Sequence, residues 1–147
     1  MDKYDKIDEL LNTICYVIDI LPKRVEKDDE GQYFAVEEYY LKQDELNKLY
    51  WKFTDILLKL NCYYDFQVNF HEEWSKNPLP KTLVEWIFQC IEVKKNYMNI
   101  LIESQNAMIT VNGDYLYMSL YNPNDKLMNL ILKLAGAEGL FVWKGSC

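Results

Sequence analysis

Residues 98–121 read MNILIESQNAMITVNGDYLYMSLY, and this stretch decides the fold. Aliphatic and aromatic residues dominate 98–103, 107–111 and 115–121. Polar residues separate the first two runs, and Asn112-Gly113-Asp114 separates the last two. Apolar, β-prone runs broken by turn formers predict three consecutive strands. Asn-Gly between two of them predicts a two-residue type I′ hairpin, because both central positions of that turn need positive φ. The three strands form an antiparallel meander.

Downstream, Asn122-Pro123-Asn124-Asp125 breaks the third strand and offers caps for a helix carrying Leu127, Leu130, Ile131 and Leu134 at helical spacing. Gly136 or Gly139 ends that helix, and the short apolar run 140–143 returns to the sheet as a strand. Upstream, Thr82-Leu83-Val84-Glu85 has the form of a capping box, opening a helix with Leu83, Trp86, Ile87, Cys90 and Ile91 on its inner side. Before it, Cys62, Tyr64, Phe66, Val68 and Phe70 alternate with Tyr63, Asp65, Gln67, Asn69 and His71, which predicts a half-buried strand.

Residues 46–60 have the three-four spacing of a helix. Residues 33–43 suit either helix or strand, being rich in aromatic side chains. At the start, Ile7, Leu10, Leu11, Ile14, Val17, Ile18 and Leu21 predict one amphipathic helix that Pro22 terminates. The polar stretch 26–31 between them has nothing to bury and predicts an exposed loop. The sum is a single α+β domain over 1–147, with about four helices on a mixed, mainly antiparallel sheet. No repeat or linker divides it.

Composition narrows the function. Sixteen basic residues face 23 acidic ones, a net charge of −7, and His71 is the only histidine. An acidic surface repels a phosphate backbone, so nucleic acid is not an expected partner. No apolar run has the length of a membrane span, so no membrane is expected either. Histidine carries most acid–base work near neutral pH and ligates many metals, and its scarcity predicts neither a metal site nor a cofactor-driven enzyme. Glycines 31, 113, 136, 139 and 145 are scattered and cradle no phosphate.

Cys15, Cys62, Cys90 and Cys147 show no paired spacing, and the chain begins Met1-Asp2-Lys3-Tyr4-Asp5 with no secretory pattern. Four free thiols in a reducing cytoplasm are expected. Cys62 and His71 are nine residues apart on opposite faces of one predicted strand, about 30 Å by the usual rise, so they form no nucleophilic pair. No catalytic residue is assigned. His71 itself is expected on the polar side of a strand end, and His71-Glu72-Glu73 points in alternating directions.

Two surfaces remain as candidates for contact with a partner. Leu116, Met118 and Leu120 point to one side of the third meander strand, leaving Tyr115, Tyr117, Ser119 and Tyr121 on the other. Tyrosine offers large contact area with a polar tip. The acidic loop at Asp28, Asp29 and Glu30 lacks the spacing of a calcium site and acts, if at all, by steering a basic partner. The expected function is a soluble interaction protein that binds another, basic protein. An acidic inhibitor or immunity-type partner of a basic toxin or nuclease is its concrete form. The alternative is a small-ligand binder or enzyme using carboxylates and tyrosines in an aromatic-lined pocket.

Overall fold

A computed structural model of the chain describes residues 2–93 and 96–147. Its strands are β1 (Cys15–Asp19), β2 (Gln67–Phe70), β3 (Glu73–Lys76), β4 (Tyr97–Ile102), β5 (Ala107–Asn112), β6 (Tyr117–Tyr121) and β7 (Phe141–Lys144). They form one seven-stranded sheet in the order β3-β2-β4-β5-β6-β1-β7. Every neighbouring pair is antiparallel. Five helices accompany it: α1 (Lys3–Leu11), α2 (Tyr33–Tyr40), α3 (Gln43–Leu60), α4 (Pro80–Glu92) and α5 (Asp125–Ala137). The α+β class stands, whereas the mixed sheet and the count of about four helices are corrected. No described helix is long and apolar enough to cross a membrane.

The meander β4-β5-β6 lies at the centre of the sheet, as the sequence predicts. After it, the Asn124 side chain accepts from the Leu127 amide and opens α5, while Gly139 at φ +75° ends it, with the Leu140 amide bonding back to the Ala135 carbonyl. The predicted capping box is not used, because α4 starts three residues earlier, at Pro80, with no side-chain cap.

The N-terminal prediction fails instructively. The Asn12 amide donates to the Asp8 carbonyl at 3.0 Å and the Thr13 hydroxyl to the Leu10 carbonyl at 2.6 Å, so side chains take over the last carbonyls of α1. The chain then turns into β1, which lies between β6 and β7. An interior strand is apolar on both faces, and its continuous run imitates the next turns of an amphipathic helix. The strand predicted over 62–71 is also shorter. Cys62 to Tyr64 form the turn after α3, and His71 and Glu72, at φ +52° and +65°, join β2 to β3. Positive φ at both central residues, expected at Asn112-Gly113, occurs here instead.

Two unequal layers cover the sheet. On one face Ile18, Val68, Met98, Ile100, Ile109, Val111, Met118 and Leu120 pack under Phe53, Leu57, Ile87, Ile131 and their neighbours from α3, α4 and α5. On the other, α1 sets Ile7 and Leu10 on Cys15, Leu101, Met108 and Tyr121. Burying each large aliphatic side chain contributes roughly 1.5–3 kcal/mol, so the three-helix side carries most of the stability. The fully buried Tyr50 of α3 reaches the carbonyls of Asn112 and Tyr115 at 2.8 and 3.0 Å, fastening the β5–β6 turn to the helical layer.

The expectation of four free thiols is overturned: Cys15 and Cys147 form a disulfide across 132 residues of sequence. β7 pairs with β1, and the Gly145 amide bonds to the Cys15 carbonyl at 3.0 Å, which delivers Cys147 to Cys15. Nothing in cysteine spacing announces a juxtaposition made by strand pairing. Cys90 is buried and Cys62 exposed, both as free thiols.

The Asn112–Tyr115 turn is closed by the Tyr115 amide on the Asn112 carbonyl and by the Asp114 amide on the Asn112 side chain. Gly113 is needed there for closeness. A Cβ at this position would lie 1.6 Å from the Cys90 carbonyl oxygen, a backbone atom at the end of α4 that cannot rotate away. Gly113→Ala is therefore expected to destabilise the fold by about 2 kcal/mol or more, measured by denaturant unfolding. The control Gly136→Ala, in the last turn of α5 with a Cβ that meets nothing within 4 Å, is expected to be neutral or to stabilise by up to about 1 kcal/mol.

Candidate functional site

Strand register orders the second face of the sheet into three cross-strand rows. The first, Cys15, Tyr121, Met108 and Leu101, is apolar and lies beneath α1. The next is polar: Ser119, Thr110, Asn99 and Asn69 stand opposite one another on β6, β5, β4 and β2. The Thr110 hydroxyl donates to the Asn99 side chain at 2.9 Å. The third row is aromatic and acidic, with Phe141, Asp19 and Tyr117 side by side and Tyr97 opposite Asn112 on the same face. α1 stops short of this last row.

A groove of about 470 Å³ opens over the Asp19 end. Its floor is Val17, Asp19 and Tyr117. Trp143 and the segment to Cys147 form one wall, Tyr33, Val36, Glu37 and Leu41 the wall from α2, and Asp114 and Tyr115 the end. The Tyr115 and Tyr117 rings stack nearly parallel with centroids 4.9 Å apart. A second recess of about 480 Å³ lies on the α1 side, between Tyr4, Asp8, Asn69, Asn99, Tyr97 and Tyr121. Tyr117 and Tyr121 are thus neighbours on one strand that look into different recesses.

Asp19 is the electrostatic centre of the groove. Its Oδ1 accepts from the Ile20 amide at 2.7 Å and its Oδ2 from the Trp143 indole at 3.3 Å. Burial nevertheless wins over these bonds and pushes the carboxyl above its usual range. The tyrosines feel the same surroundings. Burial, then the hydrogen bond to Glu37 at 2.9 Å and the charges of Glu37 and Asp19, push Tyr33 up to about 12. Tyr117 is raised by burial first, and by Tyr115, Tyr121 and Asp19. Among the described residues the one ion pair is Lys48–Glu45 on α3, so Asp19 has no cation at ion-pair distance. Lys23 and Arg24 are exposed at the rim, where they also border an outer recess beside Lys144.

The predicted tyrosine row is on the second face, but its members differ in setting. Tyr121 is buried under α1, Tyr117 is half-buried in the groove, and Tyr115 is 45% exposed at its end. The acidic loop does not join them. Asp28, Asp29 and Glu30 are exposed; Asp29 accepts from the Glu26 amide at 2.8 Å and borders the outer recess, while Asp28 and Glu30 line none of these cavities. Sequence reasoning missed Asp19, which lies within the stretch read as one N-terminal helix, and Trp143, 124 residues away. Only the pairing of β1 with β7 brings the two together. No protein-family model, curated protein or solved structure matches this chain.

The raised Asp19 sets a pH dependence. In the folded chain the carboxyl prefers its neutral form, so its contribution is most favourable below the ordinary aspartate value of about 3.9 and is lost as pH rises through the higher folded value. Asn at position 19 does not titrate. Unfolding stability of the parent minus that of Asp19→Asn is expected to fall as pH rises from about 3.5 toward 7, measured by urea unfolding. A difference that rises with pH would mean the carboxylate is favourably paired.

Proposed function

We propose that this domain works by binding another protein, and that the groove and the flank of α2 are where it does so. The observation that carries this is the state of α2. None of its residues is buried, yet it displays Tyr33, Phe34, Val36 and Tyr39, with Phe34 81% exposed. Apolar side chains concentrated on one exposed helix beside an aromatic groove mark a surface that gains by being covered. Aromatic anchors of this kind dominate the energetics of protein interfaces.

Charge selects the partner. At −7 the chain attracts a basic protein over distances of a Debye length or so. The exposed Asp28, Asp29 and Glu30 contribute to that steering without forming the contact. An inhibitor or immunity-type partner of a basic toxin or nuclease is the concrete form of the proposal. The cytoplasmic expectation rested on unpaired cysteines and on the lack of a secretory pattern; with Cys15 and Cys147 joined the first support is gone, since such bonds persist in oxidising surroundings. A second reading, a small-ligand binder, draws on the groove volume of about 470 Å³, which lies in the range of ligand pockets.

A photo-crosslinking amino acid placed at Phe34 or Tyr115, with Leu132 on α5 as a control, separates the two in the native host. The expected result is the same defined protein adduct from Phe34 and Tyr115 and none from Leu132. Equal adducts at all three positions, or none at Phe34 and Tyr115, would contradict the proposal. In the second case, a small bound mass in native mass spectrometry would favour the ligand reading.

A further inference from the structure

We propose that the groove is a cation-recognition site, in which Asp19, walled by Tyr33, Tyr115, Tyr117 and Trp143, receives the guanidinium or ammonium group of a basic side chain from a partner polypeptide. The inference rests on the protein-binding proposal and names the chemistry of its central contact. Three independent observations converge on it.

The first is a charge with no partner. A carboxylate removed from water is unfavourable unless something compensates it. Asp19 accepts from the Ile20 and Leu21 amides and the Trp143 indole but has, among the described residues, no cation within ion-pair distance. Its two oxygens retain lone pairs for an incoming N–H group. A guanidinium carries five such donors on a plane and loses less hydration on entry than an ammonium, so arginine is the better fit.

The second is the nature of the walls. Tyr117 stands directly opposite Asp19 in the strand register, with Tyr115 stacked on it at 4.9 Å. Tyr33 lines the groove from α2, its hydroxyl donating to Glu37 at 2.9 Å. Trp143 fixes the carboxylate from β7. The four rings line the groove around one carboxylate, an aromatic lining that suits a cation while the carboxylate supplies the counter-charge. The aliphatic stem of arginine or lysine suits the remaining lining of Val17, Val36 and Leu41.

The third is the balance of charge. Glu37 and Asp114 add to Asp19 on the lining, while Lys23 and Arg24 stand on the exposed rim and border the outer recess as well. An anion drawn to the rim would still meet a desolvated carboxylate at the floor. A cation passes the rim and finds its charge complement beyond it. The polypeptide source follows from the same geography, because the exposed Phe34 flank adjoins the groove and offers contact that a lone small cation cannot use.

The test uses purified protein, with the Trp143 indole and groove amides followed by NMR. Probes are Nα-acetyl-arginine methylamide, its neutral citrulline counterpart, inorganic phosphate, and a pentapeptide carrying one arginine between apolar residues. The arginine compound is expected to shift the groove signals and the citrulline compound to bind at least about tenfold more weakly. The pentapeptide is expected to bind more tightly than the single residue. Asp19→Asn should lose at least about tenfold in affinity for the arginine probes, and Tyr115→Ala, at an exposed position, should weaken them severalfold. Equal binding of arginine and citrulline, unchanged affinity in Asp19→Asn, or groove shifts with phosphate alone would overturn the proposal. A single arginine that binds as tightly as the pentapeptide would overturn the polypeptide source. A crosslinked partner at Phe34 together with no arginine response sinks the cation site but keeps the protein-binding proposal; an arginine response without any crosslinked partner does the reverse.

Discussion

Seven strands have two faces to cover, and the chain spends its three longest helices on one of them. α3, α4 and α5, of 18, 13 and 13 residues, bury the central strands of that face. The other face is left to α1 and α2, of 9 and 8 residues. α1 follows one cross-strand row, over Cys15, Tyr121, Met108 and Leu101, and a helix about 10–12 Å across covers only part of the length of strands of five or six residues. This shortfall produces both recesses. The middle row keeps buried amides and hydroxyls beside the recess, with Thr110 bonded to Asn99 and Asn69 to Tyr4, while the row under α1 is apolar.

Asp19 shows what is done with the uncovered part. A single domain selected for stability alone would place Asn, Ser or an aliphatic residue where a half-buried carboxylate has no counter-charge. Keeping the charge there sacrifices stability at neutral pH, and such unfavourable placements concentrate at functional sites. The walls are rigid enough to use it. Trp143 is held in β7, Tyr117 in β6, and the segment past Gly145 is tied to β1 by the Cys15–Cys147 bond. In the chain-entropy account, closing a loop of that length stabilises a fold by about 5 kcal/mol. Only the α2 wall lacks a buried anchor, which makes it the wall able to adjust around an occupant.

How much of this was legible in the residues follows from contact distance along the chain. The stretch from 98 to 139 was readable because β4, β5 and β6 pair in succession and α5 carries Asn124 and Gly139 at its ends, while β7, which pairs with β1, was legible only as a short apolar run. The side of β6 that bears Tyr117 and Tyr121 was also readable, since alternation depends on nothing but the pleat. β1 was hidden by being interior and apolar on both faces. The β2–β3 hairpin was hidden by His71-Glu72, residues that seldom signal a turn with positive φ. The groove was invisible for a further reason: Asp19, Tyr33, Tyr117 and Trp143 belong to four separate segments that only the completed sheet and α2 assemble. Asp28, Asp29 and Glu30 drew attention as a charge run and proved to be solvated loop.

The account stands or falls on the ionisation of one carboxyl. Carbon-13 NMR of the Asp19 side-chain carboxyl, titrated with pH in the free protein and again with the arginine-containing pentapeptide bound, reads it directly. The account predicts a midpoint above the ordinary aspartate value in the free protein and a clear fall when the guanidinium enters. A midpoint at the ordinary value, or one that stays in place when the peptide binds, would contradict it.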